Sequence, residues 1–291
     1  MAKPRILVQL DTDERPSLFD SVVGVDAGVQ HLLRYCGVTP ENVVPLVHGA
    51  IFTRGGDDLR CTAIFLGGSD VARAEAVLAA IRNTFFGPCR VSVMLDPNGA
   101  NTTAAACVLA VAQHVELSQA TAAVLAATGP VGQRVVRLLA RQGAQLRVCS
   151  RTLARAEEVC RRVGSQVSSA RLVPLAASSE AETLSATQGC DVVIAAGAAG
   201  AELVSAATCS AWQGVRLAVD LNAVPPAGIA LVAPTDKARE RQGVLCYGAL
   251  GVGSTKMKIH RAAIARLYDA SDLVLDAEEL YALGQTLQAT G

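Results

Sequence analysis

A glycine-containing turn between a predicted strand and a predicted helix leaves this chain few possible folds. Residues 121–132, TAAVLAATGPVG, are mostly small or β-branched up to Ala127 and then turn through Thr128 and Gly129. After Pro130, apolar residues recur at the three- and four-residue spacing of one helix face. Such a turn aims backbone N–H groups and the positive end of a helix dipole at one point, which suits a pyrophosphate.

The turn departs from the usual dinucleotide fingerprint at one position. G-x-G-x-x-G becomes A-x-G-x-x-G, because Ala127 replaces the first glycine. The motif alone leaves two interpretations open. One is a structural turn in which Gly129 supplies a positive φ and Gly132 lets helix and strand pack closely. The other is a cofactor site formed by Thr128, Gly129, Pro130, Val131 and Gly132.

The end of the next predicted strand, Gln145 to Arg151, favours NADP over NAD. It lies roughly 20 residues beyond the turn, where an NAD site carries Asp or Glu for the ribose hydroxyls. This chain has Ser150 and Arg151 there, and Arg155 one helical turn later. A carboxylate would repel a ribose 2′-phosphate, whereas a guanidinium binds it through paired hydrogen bonds. We expect NADP to be preferred, with NAD also accepted because nothing here repels it.

Two further predicted strands complete a parallel sheet around the turn. The first, CDVVIAAG at residues 190–197, ends at Ala196 and Gly197, which we expect to pass under the cofactor. The second, at residues 215–221, leads to Asn222 and a Val-Pro-Pro segment that stops regular structure. These residues extend the predicted cofactor site.

Composition narrows the class of protein and of partner. The 291 residues predict two domains, and 51% hydrophobic content is ample for buried cores. The net charge of zero and 3% aromatic content give no footprint for nucleic acid or a membrane surface. No signal peptide or membrane-spanning stretch is evident, and the nine cysteines form no C-x-x-C pair. We expect a cytoplasmic protein with reduced cysteines and a small-molecule partner.

The N-terminal segment predicts a strand at Ile6 to Leu10 that ends in an acidic cluster, with Asp11 and Asp13. Ligands of open α/β sheets bind at this edge, so the carboxylates are candidates for binding a substrate or a metal, or for acid–base chemistry. An alternative of equal weight is that Asp11 or Asp13 caps the helix that starts near Pro16. That helix is expected to carry Asp20.

The following segment contains recurring strand and helix signals. We predict a strand from Val47 to Thr53, a second strand from Cys61 to Leu66, and a helix from Val71 to Phe85 that opens after a Gly-Gly-Ser-Asp turn.

A dense polar loop follows the predicted strand from Val91 to Leu95. Asx turns and helix caps would explain some of its polar side chains. A cap needs only one of them, so we favour a site for a heterocycle with several ring nitrogens. The candidate substrate-binding residues here are Asp96, Asn98, Asn101, Thr102 and Thr103.

The C-terminal region is predicted to form a glycine-rich loop followed by two helices. Gly248, Gly251 and Gly253 are expected to keep the loop slim before a helix from Lys256 to Tyr268. Lys256 is the candidate polar group that this loop brings to a bound substrate, although a solvated lysine is an equally weighted alternative. A final helix is expected over Ala277 to Leu287, packed on the N-terminal domain.

Taken together, the sequence blocks resemble those of the bacterial NAD(P)-dependent methylene-tetrahydromethanopterin dehydrogenases of one-carbon metabolism. The blocks are LDTDERPSLFD, TRGG, AIFLGG, LDPNGANTTAAA, TGPVG, NAVPPAGI, GALGVGSTKMKIHRA and LDAEE, in family order over nearly the whole chain. Ala127 and Leu10 depart from the family pattern.

This resemblance implies a two-domain α/β fold: an N-terminal pterin-binding domain of residues 1–107 with the returning segment 255–291, and a Rossmann-type parallel-sheet domain of residues 108–254. It also implies an active-site cleft between the two domains, a homo-oligomer such as a trimer or hexamer, and a role in formaldehyde oxidation and methylotrophy. Tetrahydromethanopterin would be the one-carbon carrier, and the reaction would be reversible oxidation of its methylene form to the methenyl form.

The absence of acid–base and metal-binding motifs is consistent with a hydride-transfer reaction. The chain has no evident Ser/His/Asp set and no H-E-x-x-H motif, and its four histidines lack metal-ligand spacing, so we predict no metal. Oxidation of a methylene carbon between two nitrogens needs no proton abstraction from that carbon. The protein therefore has mainly to align two flat rings away from water.

Three other interpretations stay open. One is a methylene-tetrahydrofolate dehydrogenase. Another is an NADP-dependent reductase of the shikimate or glutamyl-tRNA type, which the S-R-T-x-x-R-A segment favours and the N-terminal blocks oppose. The third is an NADP-binding regulatory protein without turnover.

Overall fold

Strands and helices alternate along most of the chain. The computed structural model describes residues 3–290. The elements up to residue 112 are β1 (Ile6–Asp11), α1 (Leu18–Asp26), β2 (His31–Tyr35), α2 (Val44–Phe52), β3 (Thr62–Gly67), α3 (Val71–Thr84), β4 (Ser92–Leu95) and α4 (Ala100–Ala112).

The elements continue with β5 (Thr121–Leu125), α5 (Pro130–Arg141), β6 (Gln145–Ser150), α6 (Leu153–Gln166), β7 (Arg171–Ala176), α7 (Glu180–Thr187), β8 (Val192–Ala195), α8 (Ala206–Ser210), β9 (Leu217–Asp220), β10 (Arg239–Arg241), β11 (Val244–Tyr247), α9 (Ala249–Arg266), β12 (Val274–Leu275) and α10 (Ala277–Ala289).

The chain divides into two units. The first unit contains residues 1–102 and 257–291, and the second contains residues 103–256. Both boundaries fall inside helices, one in α4 and one in α9. The final helix, α10, belongs to the first unit.

The first unit contains a parallel five-stranded sheet in the order β2-β1-β3-β4-β12. Every residue of β3 and β4 is buried, which explains why these strands are apolar runs without alternation. Val8, Leu10, Ile64 and Leu66 of β1 and β3 pack with α2 and α3 in one core. The strand order reverses direction between β1 and β3, so loops after these two strands are positioned to hold a ligand.

The second unit contains a seven-stranded sheet in the order β7-β6-β5-β8-β9-β11-β10, in which only the β10–β11 pair is antiparallel. Without β10, this is the 3-2-1-4-5-6 order of dinucleotide-binding sheets. The strand order reverses between β5 and β8. The predicted Rossmann-type parallel sheet is confirmed.

The predicted strand from Val47 to Thr53 is wrong, because this segment is helix α2. Its buried residues are Val47, Ala50 and Ile51, which are spaced as one helix face. The run is apolar on every side, and a short run of that kind does not distinguish a buried strand from a buried helix.

The predicted glycine-rich loop before Lys256 is also wrong, because α9 begins at Ala249 and includes Gly251 and Gly253. A Cβ at Gly251 would lie 1.9 Å from the backbone oxygen of Asp236, and one at Gly248 would lie 2.1 Å from that of Ala233. These two glycines therefore allow the start of α9 to pack closely against a loop. They do not themselves form the narrow loop that the sequence predicts.

None of the helices in the described residues is both long enough and apolar enough to cross a membrane.

Candidate functional site

In the second unit, the glycine-containing turn joins β5 to α5 at the point where the strand order reverses. Gly129 is the residue that precedes α5, and within residues 3–290 no side chain caps its N-terminus. The first turn of α5, with Pro130, Val131 and Gly132, therefore presents N–H groups that an anionic ligand can use. These residues fit a pyrophosphate.

The glycines of this turn matter because they have no side chain, and not because they adopt a positive φ angle. Gly129 has φ of −71°, so the suggestion that it supplies a positive φ is wrong, and Ala126 has the left-handed conformation with φ of 54°. A Cβ on Gly132 would lie 2.8 Å from Cα of Ala127 and 2.9 Å from the carbonyl oxygen of Ala126. Gly132 therefore permits the close contact between helix and strand.

A cavity of about 440 Å³ borders the carboxyl ends of β5, β6 and β7. Ser150, which is buried at the end of β6, and the exposed Arg151 line it. Leu125, Ala177 and Leu203 contribute apolar surface to the same cavity. Arg155, the third residue of the predicted ribose set, lines a separate cavity between α5 and α6.

The loops after β8 and β9 complete this end of the second sheet. A Cβ at Gly129 would lie 3.6 Å from the carbonyl oxygen of Ala196, so the loop after β8 borders the turn. Gly197 follows, where a Cβ would lie 2.9 Å from Leu203. Asn222 is buried and uses its side chain inside its own loop: its Nδ2 donates to the carbonyl of Pro226 at 2.9 Å and its Oδ1 accepts from Val224 N–H at 2.9 Å.

Asp220 at the end of β9 holds the loop that contains Asn222. Its carboxylate accepts hydrogen bonds from the N–H of Asn222 at 3.0 Å and of Ile229 at 3.1 Å. Burial raises the pKa of this carboxyl above its ordinary value, and the backbone N–H donors oppose that shift. The loop geometry therefore depends on a buried carboxylate that sequence reasoning did not single out.

In the first unit, the acidic cluster lies after β1, at the reversal point of that sheet. Asp11 is buried, and its carboxylate accepts from the N–H of Asp13 and of Ser17 at 3.0 Å each. The side chain that caps α1 is Ser17, whose Oγ accepts from Asp20 N–H. The expectation that Asp11 or Asp13 caps this helix is therefore wrong, since Asp11 instead holds the loop that leads to it.

Asp13 links the two loops that flank the reversal point. It accepts from the N–H of Ser69 at 3.0 and 3.1 Å and from Ser69 Oγ at 2.9 Å. Between these acids lies Thr12, which is 1% exposed and whose Oγ1 has no hydrogen-bond partner within the described chain. The loop after β1 thus contains two carboxylates, of Asp11 and Asp13, that are held by hydrogen bonds. It also contains the Thr12 hydroxyl, which has no hydrogen-bond partner among the described residues.

A buried histidine from α9 lies beside Asp20 of α1. Nε2 of His260 is 3.9 Å from Oδ1 of Asp20, and the His260 side chain is fully buried. Its ring stacks on Phe65 of β3, with centroids 5.5 Å apart and planes inclined by 18°. Phe19 lies on another side, with its ring centroid 6.2 Å from that of His260. This cluster combines flat rings with a carboxylate that can balance positive charge.

The polar loop after β4 is mostly satisfied by its own atoms. Asp96, Asn101 and Thr102 are buried. Asp96 accepts from the N–H of Asn101 and Thr102 and from Thr102 Oγ1, at 2.6 to 3.0 Å. Asn101 donates to the carbonyl of Leu95 and to Asp276. These three side chains therefore shape the loop, whereas Asn98 is exposed and Thr103 is half-buried. That the loop binds a ligand stays a prediction.

Lys256 lies on α9, four residues before His260 and so on the same helix face. It is half-buried, whereas Lys258 is exposed. Within the range 3–290, no group of three or more His, Cys, Asp or Glu side chains could hold a metal ion.

Comparison with known proteins assigns a family to this arrangement. Residues 18–98 match the family model described as "Methylene-tetrahydromethanopterin dehydrogenase, N-terminal", and residues 126–270 match the one described as "NAD(P)H-binding". The chain is 43% identical to "Bifunctional protein MdtA" of Methylorubrum extorquens, over 97% of this chain and 99% of that protein. The chain belongs to the methylene-tetrahydromethanopterin dehydrogenase family.

A second member of this dehydrogenase family is more distant. The "NAD(P)-dependent methylenetetrahydromethanopterin dehydrogenase" of the same organism is 28% identical over 96% of this chain and 97% of that protein. Among solved structures, the 5-ketofructose reductase of a Gluconobacter strain superimposes with a TM-score of 0.55 at 13% identity, covering 98% of this chain and 99% of that one. This last similarity concerns the fold alone.

For this dehydrogenase family member, sequence reasoning missed His260, Phe65 and Asp220. His260 was set aside because the histidines show no metal-ligand spacing. The signal that could have found it is its four-residue separation from Lys256, which places both side chains on one helix face. Phe65 lies in a wholly apolar strand, where nothing local distinguishes a ring that stacks on histidine from an ordinary core residue.

Proposed function

We propose that this chain catalyses the reversible dehydrogenation of methylene-tetrahydromethanopterin to methenyl-tetrahydromethanopterin, with NADP as the preferred hydride acceptor. The observation that carries the proposal is the near-full-length match to relatives, one of which is named an NAD(P)-dependent methylenetetrahydromethanopterin dehydrogenase. The unit of residues 1–102 and 257–291 would bind the pterin, and the unit of residues 103–256 would bind the dinucleotide.

The dinucleotide would lie across the end of the second sheet. Residues 128–132 would bind the pyrophosphate through backbone N–H groups at the start of α5. Ser150, Arg151 and Arg155 would surround the ribose, and the cavity lined by Leu125 and Ala177 has apolar walls suited to adenine. Ala196 and Gly197, with the loop shaped by Asp220 and Asn222, would support the nicotinamide, which supplies the hydride acceptor when bound.

The pterin would lie at the reversal point of the first sheet. We assign direct contact to the predicted substrate residues that are exposed or half-buried, namely Asp13, Asp20, Asn98 and Thr103. Asp11, Asp96, Asn101 and Thr102 would act by shaping the loops around it, since their hydrogen bonds are made within those loops. The ring of His260, which lies beside the carboxylate of Asp20, extends this set.

The chemistry asked of these residues is alignment and charge balance. No proton leaves the reacting carbon, so no general base is needed there. A carboxylate at Asp20 would offset the positive charge that develops on the pterin, and Lys256 would orient the pterin through its N–H donors. Holding two rings in a reactive geometry accounts for a large share of the rate gain in such a reaction.

The decisive experiment is an assay of the purified chain with two pterins and two nucleotides. Methylene-tetrahydromethanopterin with NADP should change absorbance as NADPH and the methenyl form appear, and NAD should support a slower reaction. Turnover with methylene-tetrahydrofolate alone would instead assign the tetrahydrofolate activity. Tight NADP binding without turnover of either pterin would replace the proposal with a regulatory protein.

The oligomer proposed here rests on the distribution of exposed apolar side chains. Of the thirteen large hydrophobic side chains exposed in the described part of the chain, eight lie on α1, β2 and α2. Strand β2 is the edge of its sheet, and a groove of about 380 Å³ lies between it and α2. We call seven of the eight residues the α1–β2–α2 surface: Leu18, Val22, Val25, Leu33, Tyr35, Val44 and Phe52. A second copy of this chain is the occupant we propose, because homo-oligomers bury apolar patches of this kind.

We also propose a cytoplasmic location. All nine cysteines are free thiols, and a reducing compartment keeps them so.

A further inference from the structure

A second cavity in the nucleotide-binding unit lies between α5 and α6, beside the glycine-containing turn. It has a volume of about 280 Å³. Six residues line it: Thr128, Gln133, Arg155, Glu158, Val159 and Arg162. We call it the α5–α6 cavity. It is separate from the larger cavity that Ser150 and Arg151 line, so the arginines predicted to bind the 2′-phosphate do not share one cavity.

The α6 residues of this cavity form one stripe of the helix. Arg155, Val159 and Arg162 follow at spacings of four and three residues, which places them on one face. Glu158 also lines the cavity, but its carboxylate accepts a hydrogen bond from Arg161. Two arginines therefore line the cavity, and the carboxylate of Glu158 is already engaged by a third arginine.

Gln133 connects this basic stripe to the turn. Its Nε2 donates to the carbonyl oxygen of Thr128 at 2.7 Å, and its Oε1 accepts from Nη1 of Arg162 at 2.9 Å. Thr128 immediately precedes Gly129 at the start of α5. The guanidinium of Arg162 is thus held toward the turn by a neutral side chain that leaves its charge uncompensated.

The two cavities differ in the chemistry they suit. The larger one combines apolar walls and hydroxyl groups with two acidic residues, Glu180 and Glu202, and one arginine, Arg151, so it suits a heterocycle better than a phosphate. The α5–α6 cavity instead offers two arginines at the edge of a phosphate-binding turn. A phosphate monoester is small, strongly anionic and well matched to the planar fork of arginine.

We propose that the α5–α6 cavity binds the ribose 2′-phosphate of NADP, and that Arg162, positioned by Gln133, determines nucleotide specificity together with Arg155. This inference rests on the proposed NADP dependence and adds Arg162 and Gln133 to the residues responsible for it.

The test compares binding of two fragments, adenosine 2′,5′-bisphosphate and 5′-AMP, by calorimetry without any pterin. Arg162→Ala should weaken binding of the bisphosphate by about 10- to 100-fold, the range for loss of a charged hydrogen-bonding group. It should leave 5′-AMP unchanged within about twofold. Arg162→Lys, which keeps the charge and loses the fork, should give an intermediate loss. Arg82→Ala, which removes an exposed arginine from α3 of the other unit, is the charge-matched control.

Several results would overturn the inference. Equal losses for both fragments would mean that Arg162 supports the turn rather than the 2′-phosphate, and no loss for either would remove it from the site. A wild-type chain that binds both fragments equally would place no 2′-phosphate site here, yet could still oxidise the pterin with NAD. Conversely, an Arg162-dependent preference for the bisphosphate in a chain that oxidises neither pterin would uphold the inference while rejecting the proposed reaction.

Discussion

At the scale of single residues, the helix face on which Lys256 and His260 lie determines their surroundings. His260 is fully buried against Phe65 and lies beside Asp20, while Lys256 precedes it by four residues and is half-buried. Lys258 projects about 200° further round the helix than Lys256 and is exposed. The helix therefore separates two lysines that look equivalent in the sequence.

We expect Lys256→Met to lower kcat by about 10²-fold, the scale for misplacing a substrate by about an ångström. Its affinity for NADP should stay nearly unchanged, because the substitution keeps most of the side-chain volume. Lys258→Met is the matched control and should have little effect. Steady-state kinetics over a range of pH values measures both variants, and an essential acid and base would be revealed by a bell-shaped profile. A lower kcat in Lys258→Met with an unchanged kcat in Lys256→Met would contradict the assignment of Lys256 to the substrate-facing side of α9.

At the scale of elements, the junction of β5 with α5 depends on a missing side chain. Gly132 lies in the first turn of α5, where a Cβ would approach backbone atoms of Ala126 and Ala127 within 3 Å. Backbone atoms cannot move aside as a flexible side chain could. Helix α5, and the N–H groups it presents, would therefore shift as a unit.

Gly132→Ala should destabilise the protein by about 1 to 3 kcal/mol through overpacking. It should weaken NAD and NADP binding by similar factors, since both share the pyrophosphate. Gly164→Ala in α6 is the matched control: apart from its own helix backbone, no heavy atom of the described residues lies within 4 Å of the Cβ position, so stability should rise by up to about 1 kcal/mol. Chemical unfolding and nucleotide titration measure the two effects. If Gly132→Ala left both the stability and the nucleotide affinity unchanged, the close contact between α5 and β5 would have no energetic consequence.

An ion pair between Asp236 and Arg241 of β10 fixes the loop that packs against the start of α9. Asp236 is 5% exposed, and its carboxylate accepts two hydrogen bonds from Arg241, at 2.7 and 2.8 Å. These bonds lower the pKa of Asp236 below its ordinary value. Gly248 N–H donates to the backbone carbonyl of the same residue at 2.9 Å, so this loop supports the start of α9.

Asp236→Asn should therefore destabilise the protein in a pH-dependent way. Because the folded state lowers the pKa, the stabilisation is complete above the unfolded pKa, which lies at about 4, and is lost as pH falls through the lower folded value. We expect a loss of about 1 kcal/mol at neutral pH, since Arg241 remains solvated. Urea unfolding at neutral and acidic pH measures it, with Asp57→Asn as an exposed control. A difference that stays constant down to low pH would contradict the assignment to the ion pair.

At the scale of the whole molecule, exposed apolar side chains are distributed unevenly. The α1–β2–α2 surface surrounds the edge strand of the first sheet, where β2 leaves one side of its backbone without a neighbouring strand. Edges of this kind invite pairing with another chain unless they are covered. A homo-oligomer would cover this one.

Val22→Glu should dissociate the oligomer. The free-energy cost of burying an unpaired carboxylate in the interface exceeds the free energy gained there by burying one valine side chain. Val173→Glu is the matched control, since Val173 on β7 is 53% exposed and Val22 is 51% exposed. Sedimentation velocity measures the change in mass. A wild-type chain that sediments as a monomer, or a Val22→Glu variant with unchanged mass, would reject the surface as the interface.

Features that depend on local pattern could be predicted from the order of residues alone. The strand–turn–helix at residues 121–132 and the parallel sheet around it were predicted from periodicity, small residues and glycine spacing, because those signals act within a few residues of one another. The family was recognised from blocks such as LDPNGANTTAAA and TGPVG, which lie in order along the chain.

Features that depend on which side chains meet in space became visible only in the folded chain. The apolar run at Val44–Phe52 became a helix because its Val47, Ala50 and Ile51 face one core. Gly251 lies in α9 rather than in a loop, and its missing side chain lets the helix start pack against the loop at Asp236. Asp96, Asn101 and Thr102 turned inward because their partners lie in the same loop and at Asp276. His260 reached Asp20 and Phe65 across some 200 residues, a pairing that folding creates and no local pattern encodes.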